Sequence, residues 1–285
     1  MAVQMRREQP SAALADEVVI RGSGRPLKQS TLRYKLLSIF SPITVLILWE
    51  IMVRLGLLDY RFFPAPTMVS LSLAELLMSG ELTEHILASL GRVIAGFLLG
   101  SIPGIVIGML MGWSRTCRAI FDPIVSATFP MPKIALLPLV LLIFGIGEFS
   151  KIILIAIGAF FLVTINSMAG VMNIDPVLVE AAHNFGARGA RMFRKVVLPS
   201  TLPYIFTGLR LSLGVSLIII VATEFVAANK GIGFLIWISW QSLVTEKMYA
   251  GLIVIAVLGL LFTYGLEKLG RMLMPWGRDI TEKTR

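Results

Sequence analysis

The sequence contains one cysteine, Cys117, and two histidines, His85 and His183, far apart in the chain. A single thiol excludes an intrachain disulfide, and two distant imidazoles make no metal-ligand cluster. No glycine is followed by lysine, so the glycine-rich phosphate loop that ends in Gly-Lys is missing and any ATP must be bound by another chain. The apolar runs hold no constellation of His, Asp, Ser or Cys, which argues against a membrane-embedded enzyme. Charge is scarce as well: 15% of the residues are Asp, Glu, Lys or Arg, against roughly a quarter in globular proteins. With 56% hydrophobic residues and a mean hydropathy of +0.83, that shortage excludes disorder and a typical soluble enzyme. The net charge of +9 is spread over tails and loops with no aromatic-interleaved patch, so it points to membrane topology and not to nucleic acid.

What is present is a series of apolar runs near the length of about 20 residues that a helix needs to cross a bilayer. They predict six spans, near Leu36–Leu58, Leu87–Trp113, Ile134–Phe144, Ile152–Met172, Pro203–Ala227 and Tyr249–Leu266. The third is short, and the apolar stretch before it is cut by Pro123, Pro130 and Pro132, so that span is expected to be broken or re-entrant. Residues 1–35 are polar, without the apolar core of a signal peptide, and read as a retained tail; 271–285 read as a second tail. Lys and Arg concentrate in both tails, at Arg115 and Arg118, and between Arg188 and Lys195. The opposite side holds Arg61, Lys151, Lys230 and Lys247, so the bias places both termini in the cytoplasm. On the predicted outer side, Pro64-Ala65-Pro66 leads into an interfacial helix from Met68 to Met78, and Gly231–Trp240 forms a second such segment.

The second span carries glycine at 96, 100, 104, 108 and 112. That spacing reads as a seam for a closely packed neighbour that wraps across it. Charges within spans are costly and each invites a role. Glu50 and Arg54 sit one turn apart and read as an ion pair. Lys133, Arg210 and Glu224 are candidates for the translocation path. Each has a structural alternative: a cap on broken-helix carbonyls for Lys133, snorkelling for Arg210, a hydrogen-bonded strut for Glu224.

Between the fourth and fifth spans lies a polar segment, Asn173–Leu202. Asp175-Pro176 is a cap followed by a first-turn proline, predicting a helix over Pro176–Phe185; Gly186 allows a reversal, and Ala190–Val197 forms a second helix stopped at Pro199. The loop should present small residues, Ala181 and Ala182, beside a basic face of Arg188, Arg191, Arg194 and Lys195, with His183 at its surface.

Glu180-Ala181-Ala182, Gly186, Val196, Leu198 and Pro199 match in every spacing the EAA motif of binding-protein-dependent ABC importer permeases. The chain further resembles the nitrate, sulfonate, taurine and bicarbonate group of these permeases from about Trp49 to Trp276. The residues that carry this are Pro64-Ala65-Pro66-Thr67, Ser89-Leu90-Gly91-Arg92, Pro132 with Pro138-Leu139, Phe144-Gly145-Ile146-Gly147-Glu148 with Lys151, Gly208-Leu209-Arg210, Glu224 and Gly231-Ile232-Gly233. It departs at Ser216-Leu217 and Glu224-Phe225, where relatives often have Ala-Trp and Glu-Met.

The resemblance implies an all-α polytopic permease of the type I importer kind, with a transmembrane domain at 36–270 that includes a coupling loop at 173–202. It implies a non-enzymatic chain in a bacterial inner membrane, without a cofactor of its own, that pairs with a second permease copy as a homodimer. Two ATPase subunits would dock at Glu180, Ala181, Ala182, Gly186, Arg188, Arg191, Leu198 and Pro199, and an extracytoplasmic binding protein would deliver a small anion. The competing class is an ion-coupled secondary transporter or channel, which needs several buried acids on discontinuous helices; Glu50 and Glu224 supply few.

Overall fold

The computed structural model describes residues 31–277; residues 1–30 and 278–285, most of the two expected tails, lie outside it. The described residues are helical without strands. They divide into a unit that ends at Trp49, containing most of helix α1 (Thr31–Arg54), and a unit from Glu50 onward.

In the second unit, α2 (Pro66–Met78) begins with proline in its first turn, where the missing N–H costs nothing. Its Ala65 cap offers no side-chain acceptor. The Glu50 carboxylate fills that place, accepting from the Thr67 amide at 3.1 Å and the Thr67 hydroxyl at 2.9 Å, while holding Arg54 at 2.6 Å as the spacing predicts. The turn between α1 and α2 carries an Arg61–Asp59 ion pair, and those hydrogen bonds hold the Asp59 carboxyl below its ordinary pKa.

Helices α3 (Glu81–Trp113) and α6 (Glu148–Met172) form the central pair. The glycine stripe is their seam. A Cβ on Gly96 would come within 2.7 Å of the Ile152 carbonyl, and Gly100, Gly104, Gly108 and Gly112 meet in turn Ala156, Phe160, Thr164 and Val171. The contacts climb both helices together, so α3 and α6 run parallel. Close backbone approach replaces the hydrophobic driving force that lipid-like surroundings remove. Helix α9 (Leu198–Ala227) packs antiparallel on the other side of α6, with Gly158 against Ile219 and Gly208 against Asn166. Leu154, Ile155, Ile219 and Ile220 fill the core between them.

The third span is broken, as expected, although the break is not at every proline. Pro123 is carried inside α4 (Arg115–Thr128), and the chain bends by 91° before Lys133–Phe144, whose last two turns are α5 (Leu137–Phe144). The break falls at Pro130–Pro132: Phe129 still has helical angles, whereas Pro132 is extended, with φ −62° and ψ 114°, and neither proline has an N–H to carry the helix on. Arg118 turns back from α4 to donate to the Met111 and Gly112 carbonyls at 3.0 and 3.1 Å, so a cation closes the C-terminal end of α3.

The loop helices are α7 (Pro176–Asn184) and α8 (Gly189–Met192). Pro199 does not stop the second of them. The chain passes from α8 through a π-helical turn, Phe193–Val197, directly into α9, giving a helical stretch of 39 residues, Gly189–Ala227. The widened turn makes room for a ring that would otherwise clash with the carbonyl four residues back, and Pro199 then occupies the first turn of α9. Two shorter apolar elements complete the fold, α2 and α10 (Ile232–Gln241); both meet α11 (Thr245–Leu273) around Val69, Leu76, Ile236 and Ala250. Among the described residues, four helices are long and apolar enough to cross a membrane, and the bent pair adds a fifth if it crosses as one span.

The seam can be tested by substitution. Gly100→Ala should destabilise the protein, because the new methyl overlaps the Ala156 backbone, which cannot yield like a side-chain tip. Gly91→Ala, on the open side of α3 with nothing within 4 Å, should be neutral or stabilising by about 0.5–1 kcal/mol. Thermal unfolding in detergent checks the order; equal midpoints would disprove the seam.

Candidate functional site

The motif residues that lie far apart in sequence converge at the predicted outer end of the bundle. Arg92 is the single charge between Glu84 and Arg115, and Glu224 the single charge between Arg210 and Lys230. They meet: Arg92 Nη1 donates to Glu224 Oε1 at 2.6 Å, with Glu224 fully buried and Arg92 only 6% exposed. Removing two charges from water is costly unless each is paired and its remaining hydrogen-bonding groups are satisfied. Here they are. Glu224 also accepts from the Ser89 hydroxyl at 2.7 and 2.9 Å and from the Gly233 amide at 2.8 Å. Arg92 turns its other nitrogens to Glu148, with Nη2 at 2.8 Å, and donates to the Lys230 carbonyl at 2.6 Å.

Glu148 opens α6, where a carboxylate suits the positive end of the helix dipole. It is the outlying member, 63% exposed. Lys151, expected in an outer loop, is instead buried one turn into α6 and donates to Glu148 at 3.1 Å and to the Gly147 carbonyl at 3.2 Å. Two cations thus face two carboxylates.

The same groups hold the chain between α9 and α10. Gly231 N–H donates to His85 Nδ1 at 3.0 Å, and Ile232 N–H to the Ser89 hydroxyl at 2.8 Å. The first amides of α10, which have no partner within that helix, therefore find acceptors on α3 and α9. Gly231 is required here: its φ of +134° is closed to ordinary residues, and a Cβ would fall on the Glu224 carboxyl. Lys230 pairs with Glu84 and Lys247 with Glu81, tying the start of α3 to the loop and to α11. Behind them Trp237 stacks on Phe225 at 5.3 Å and on Trp240 at 4.9 Å.

The other nominated charges are also engaged. Lys133 lies at the break, its ammonium donating to the carbonyls of Thr128 at 2.6 Å, Phe129 at 3.0 Å and Met131 at 3.0 Å, and resting 4.6 Å from the Phe161 ring centre. All three N–H groups of the lysine are in use. Arg210 has a carboxylate partner that local spacing does not show, Glu267 on α11 at 3.3 Å; both are partly exposed. In the loop, Asp175 caps α7 through the Val177 amide at 2.9 Å, and Gly186 takes a φ of +78°, the reversal predicted for it. Val177, Leu178, Ala181 and Phe185 share the exposed face of α7, with Phe185 91% exposed. Ala182 turns inward with Val179 onto Ala187, Met192 and Val197. Glu180, His183, Arg188 and Arg191 are exposed, and Leu198 and Pro199 are half-buried where the loop joins α9.

Residues 104–273 match the family model of the binding-protein-dependent transport system inner membrane component. The chain belongs to this family. Relatives agree: the taurine transport system permease protein TauC of Escherichia coli is 38% identical over 86% of this chain and 90% of its own length. A protein of Bacillus subtilis named as an aliphatic sulfonates transport permease protein, SsuC, is 37% identical over 82% of this chain and 85% of its own. The nitrate import permease protein NrtB of Leptolyngbya laminosa is 37% identical over 62% of this chain and 63% of its own. In fold, the chain is similar to a structure of the inward-facing MetNI methionine ABC transporter, with a TM-score of 0.58 at 20% identity, covering 69% of this chain and 97% of that one. The protein is a permease subunit of an ABC importer, a multi-pass inner-membrane component and not an enzyme.

Sequence reasoning named Glu224 but passed over Arg92, His85 and Lys230 as functional groups. The signal for Arg92 was present: the single charge in the apolar run between Glu84 and Arg115 must find a counter-ion, and Glu224 is the lone acid of its own span. Arg92→Gln should be the most damaging substitution in the cluster, because it strands the fully buried Glu224 carboxylate, while Glu148 keeps Lys151 and solvent; removing one partner of a buried pair costs about 3–5 kcal/mol. Glu224→Gln should cost less, since Glu148 still faces Arg92, and Glu148→Gln least, since solvent reaches it. Unfolding midpoints in that order would support the network, and a Glu148→Gln variant as unstable as Arg92→Gln would refute it.

Proposed function

We propose that this permease works as one of two identical copies, driven by two ATPase subunits that bind at the α7–α8 loops, and that it passes a small oxyanion such as a sulfonate delivered by an extracytoplasmic binding protein. Both termini and the α7–α8 loop lie in the cytoplasm in this reading, with six spans per copy. The observation that carries it is the α7 face. Val177, Leu178, Ala181 and Phe185 stand out into solvent without a partner in their own chain among the described residues. An aromatic anchor beside small residues, rimmed by Arg188 and Arg191, has the anatomy of an interface hot spot. The relatives named for taurine, aliphatic sulfonate and nitrate transport support an anionic cargo.

The nucleotide-driven approach of the two ATPase subunits would act on α9 through α8, shifting the populations of outward- and inward-open states. Glu224 and Arg92 serve that motion as a strut. Lys133 shapes the path by holding together the carbonyls at the break of the third span, and its positive charge, partly offset by those dipoles, lowers the barrier for an anion.

Phe185→Asp should lose ATPase subunit in co-purification by more than about tenfold, a 1.4 kcal/mol change at a hot spot, while the unfolding midpoint of the permease alone stays put. Gly186→Val, which forces a β-branched residue into positive φ, should do the same with some loss of stability. Normal ATPase recovery and uptake in both would refute the docking role. Lys133→Gln should reduce sulfonate uptake at saturating binding protein while ATP hydrolysis by the assembled complex continues; unchanged uptake would remove Lys133 from the path.

A further inference from the structure

We propose that the cleft between α9 and α11 binds an anionic phospholipid, with an acyl chain along the cleft and the headgroup at Arg210. The cleft has a volume of about 420 Å³ and is walled by Leu213, Gly214, Leu217, Ala256, Leu260 and Thr263. The Thr263 hydroxyl is turned onto the Gly259 carbonyl at 2.9 Å, so the wall is apolar. Gly214, Ala256 and Gly259 leave the space open because they have little or no side chain to fill it.

Its two ends differ. Gly259 lies beside Leu217 and Gly270 beside Phe206, so the helices run antiparallel in a fixed register. Arg210 precedes Leu213 and Gly214 by three and four residues, which puts it on the cleft face of α9, one turn toward the α7–α8 end. On α11 the same spacing carries Leu260 and Thr263 on to Glu267 and then to the exposed Arg271. The cleft therefore ends in two guanidinium groups and one carboxylate, with the Arg210–Glu267 contact at 3.3 Å and Arg210 half exposed. In the orientation proposed above, on which this inference rests, that end faces the inner leaflet, whose anionic lipids are attracted to basic pockets between membrane helices. A second copy of the chain fits less well. Two-fold symmetry about the membrane normal brings like ends together, setting one net-positive end against another.

The test uses the permease assembled with its ATPase partner, incubated with phosphatidylglycerol or with phosphatidylcholine of identical acyl chains and scored by native mass spectrometry. The unmodified complex should retain phosphatidylglycerol about fivefold more than phosphatidylcholine for the one net cation at the cleft end. Arg210→Gln should bring phosphatidylglycerol down to the phosphatidylcholine level, whereas Gly259→Leu, which fills the cleft, should lower both. Thr263→Leu, a second filling variant on the same wall, decides the matter if Gly259→Leu does not assemble. Equal retention of the two lipids by the unmodified complex would overturn the proposal, as would a preference that survives Arg210→Gln. So would an interchain disulfide at Leu260→Cys in a Cys117→Ser background, since the cleft would then be covered by the second copy. Sulfonate uptake measured on the same preparations separates this from the transport reading: uptake without lipid preference removes the lipid site alone, and retained lipid without uptake removes the cargo assignment alone.

Discussion

A positive charge and a negative charge buried in an apolar bundle cannot be moved apart without leaving both unsolvated, and the Arg92–Glu224 contact imposes that constraint here. Helices made of Leu, Ile, Val and Gly have few features that fix their relative heights; one turn of sliding exchanges one aliphatic contact for another. A salt bridge at 2.6 Å between α3 and α9 removes that freedom, because a slide of about 1.5 Å, one residue of rise, breaks it. The glycine seam then has a defined register in which to close, with Gly96 against Ile152 and Ile155. Ser89 and His85, one and two turns from Arg92 on the same helix, lie where the α10 amides need acceptors. The arrangement of α10, and with it the Phe225, Trp237 and Trp240 stack, follows from where one arginine can sit.

The two ends of the molecule treat charge differently. At the predicted outer end Arg61, Lys151, Lys230 and Lys247 each have a carboxylate: Asp59, Glu148, Glu84 and Glu81. That end is electrostatically closed on itself. At the α7–α8 end, Arg188, Arg191, Arg194 and Lys195 are outside every ion pair among the described residues, and the aromatic ring of Phe185 stands free. A surface of unpaired cations around an exposed ring is poor as an endpoint and well suited to a protein groove. The asymmetry is physical support for assigning energy input to the one end and a fixed, ion-paired geometry to the other.

What the sequence made legible was local. Glu50 with Arg54, Asp175 with the first turn of α7, the reversal at Gly186 and the glycine stripe all depend on neighbours within one helix or one turn, and periodicity displays them. The partners of Arg92 and Arg210 lie 132 and 57 residues away, and no spacing rule connects them. Lone charges announced that partners must exist without naming them. Pro199 misled for a related reason: a proline inside a helix is ordinarily a stop, but the π turn over Phe193–Val197 is a tertiary accommodation, made as Met192 and Val197 bury themselves against Met109 and Val171. The expected span from Pro203 thus begins well before that residue.

That uninterrupted helix bears directly on how the two ends communicate. From Leu198 to Glu224 the rise is about 40 Å at 1.5 Å per residue, and Pro203 lies within α9 without ending it. The backbone between α8 and Glu224 has one irregular element, the π turn, and this sits beside the loop where force would enter. A displacement at Gly189 is therefore absorbed there or carried to Glu224; α9 offers no other break. At Glu224 it meets Arg92, which is joined through Glu148 to the start of α6, directly after the Gly145-Ile146-Gly147 turn that ends α5. The bent third span is thus held at one end by a cluster that includes Glu224 of α9 and at the other by carbonyls closed onto Lys133. A continuous helix, a buried ion pair and a two-glycine turn in series would convert motion at a surface loop into a change of angle at the broken span, the one apolar pair bent by more than 40° among the described residues.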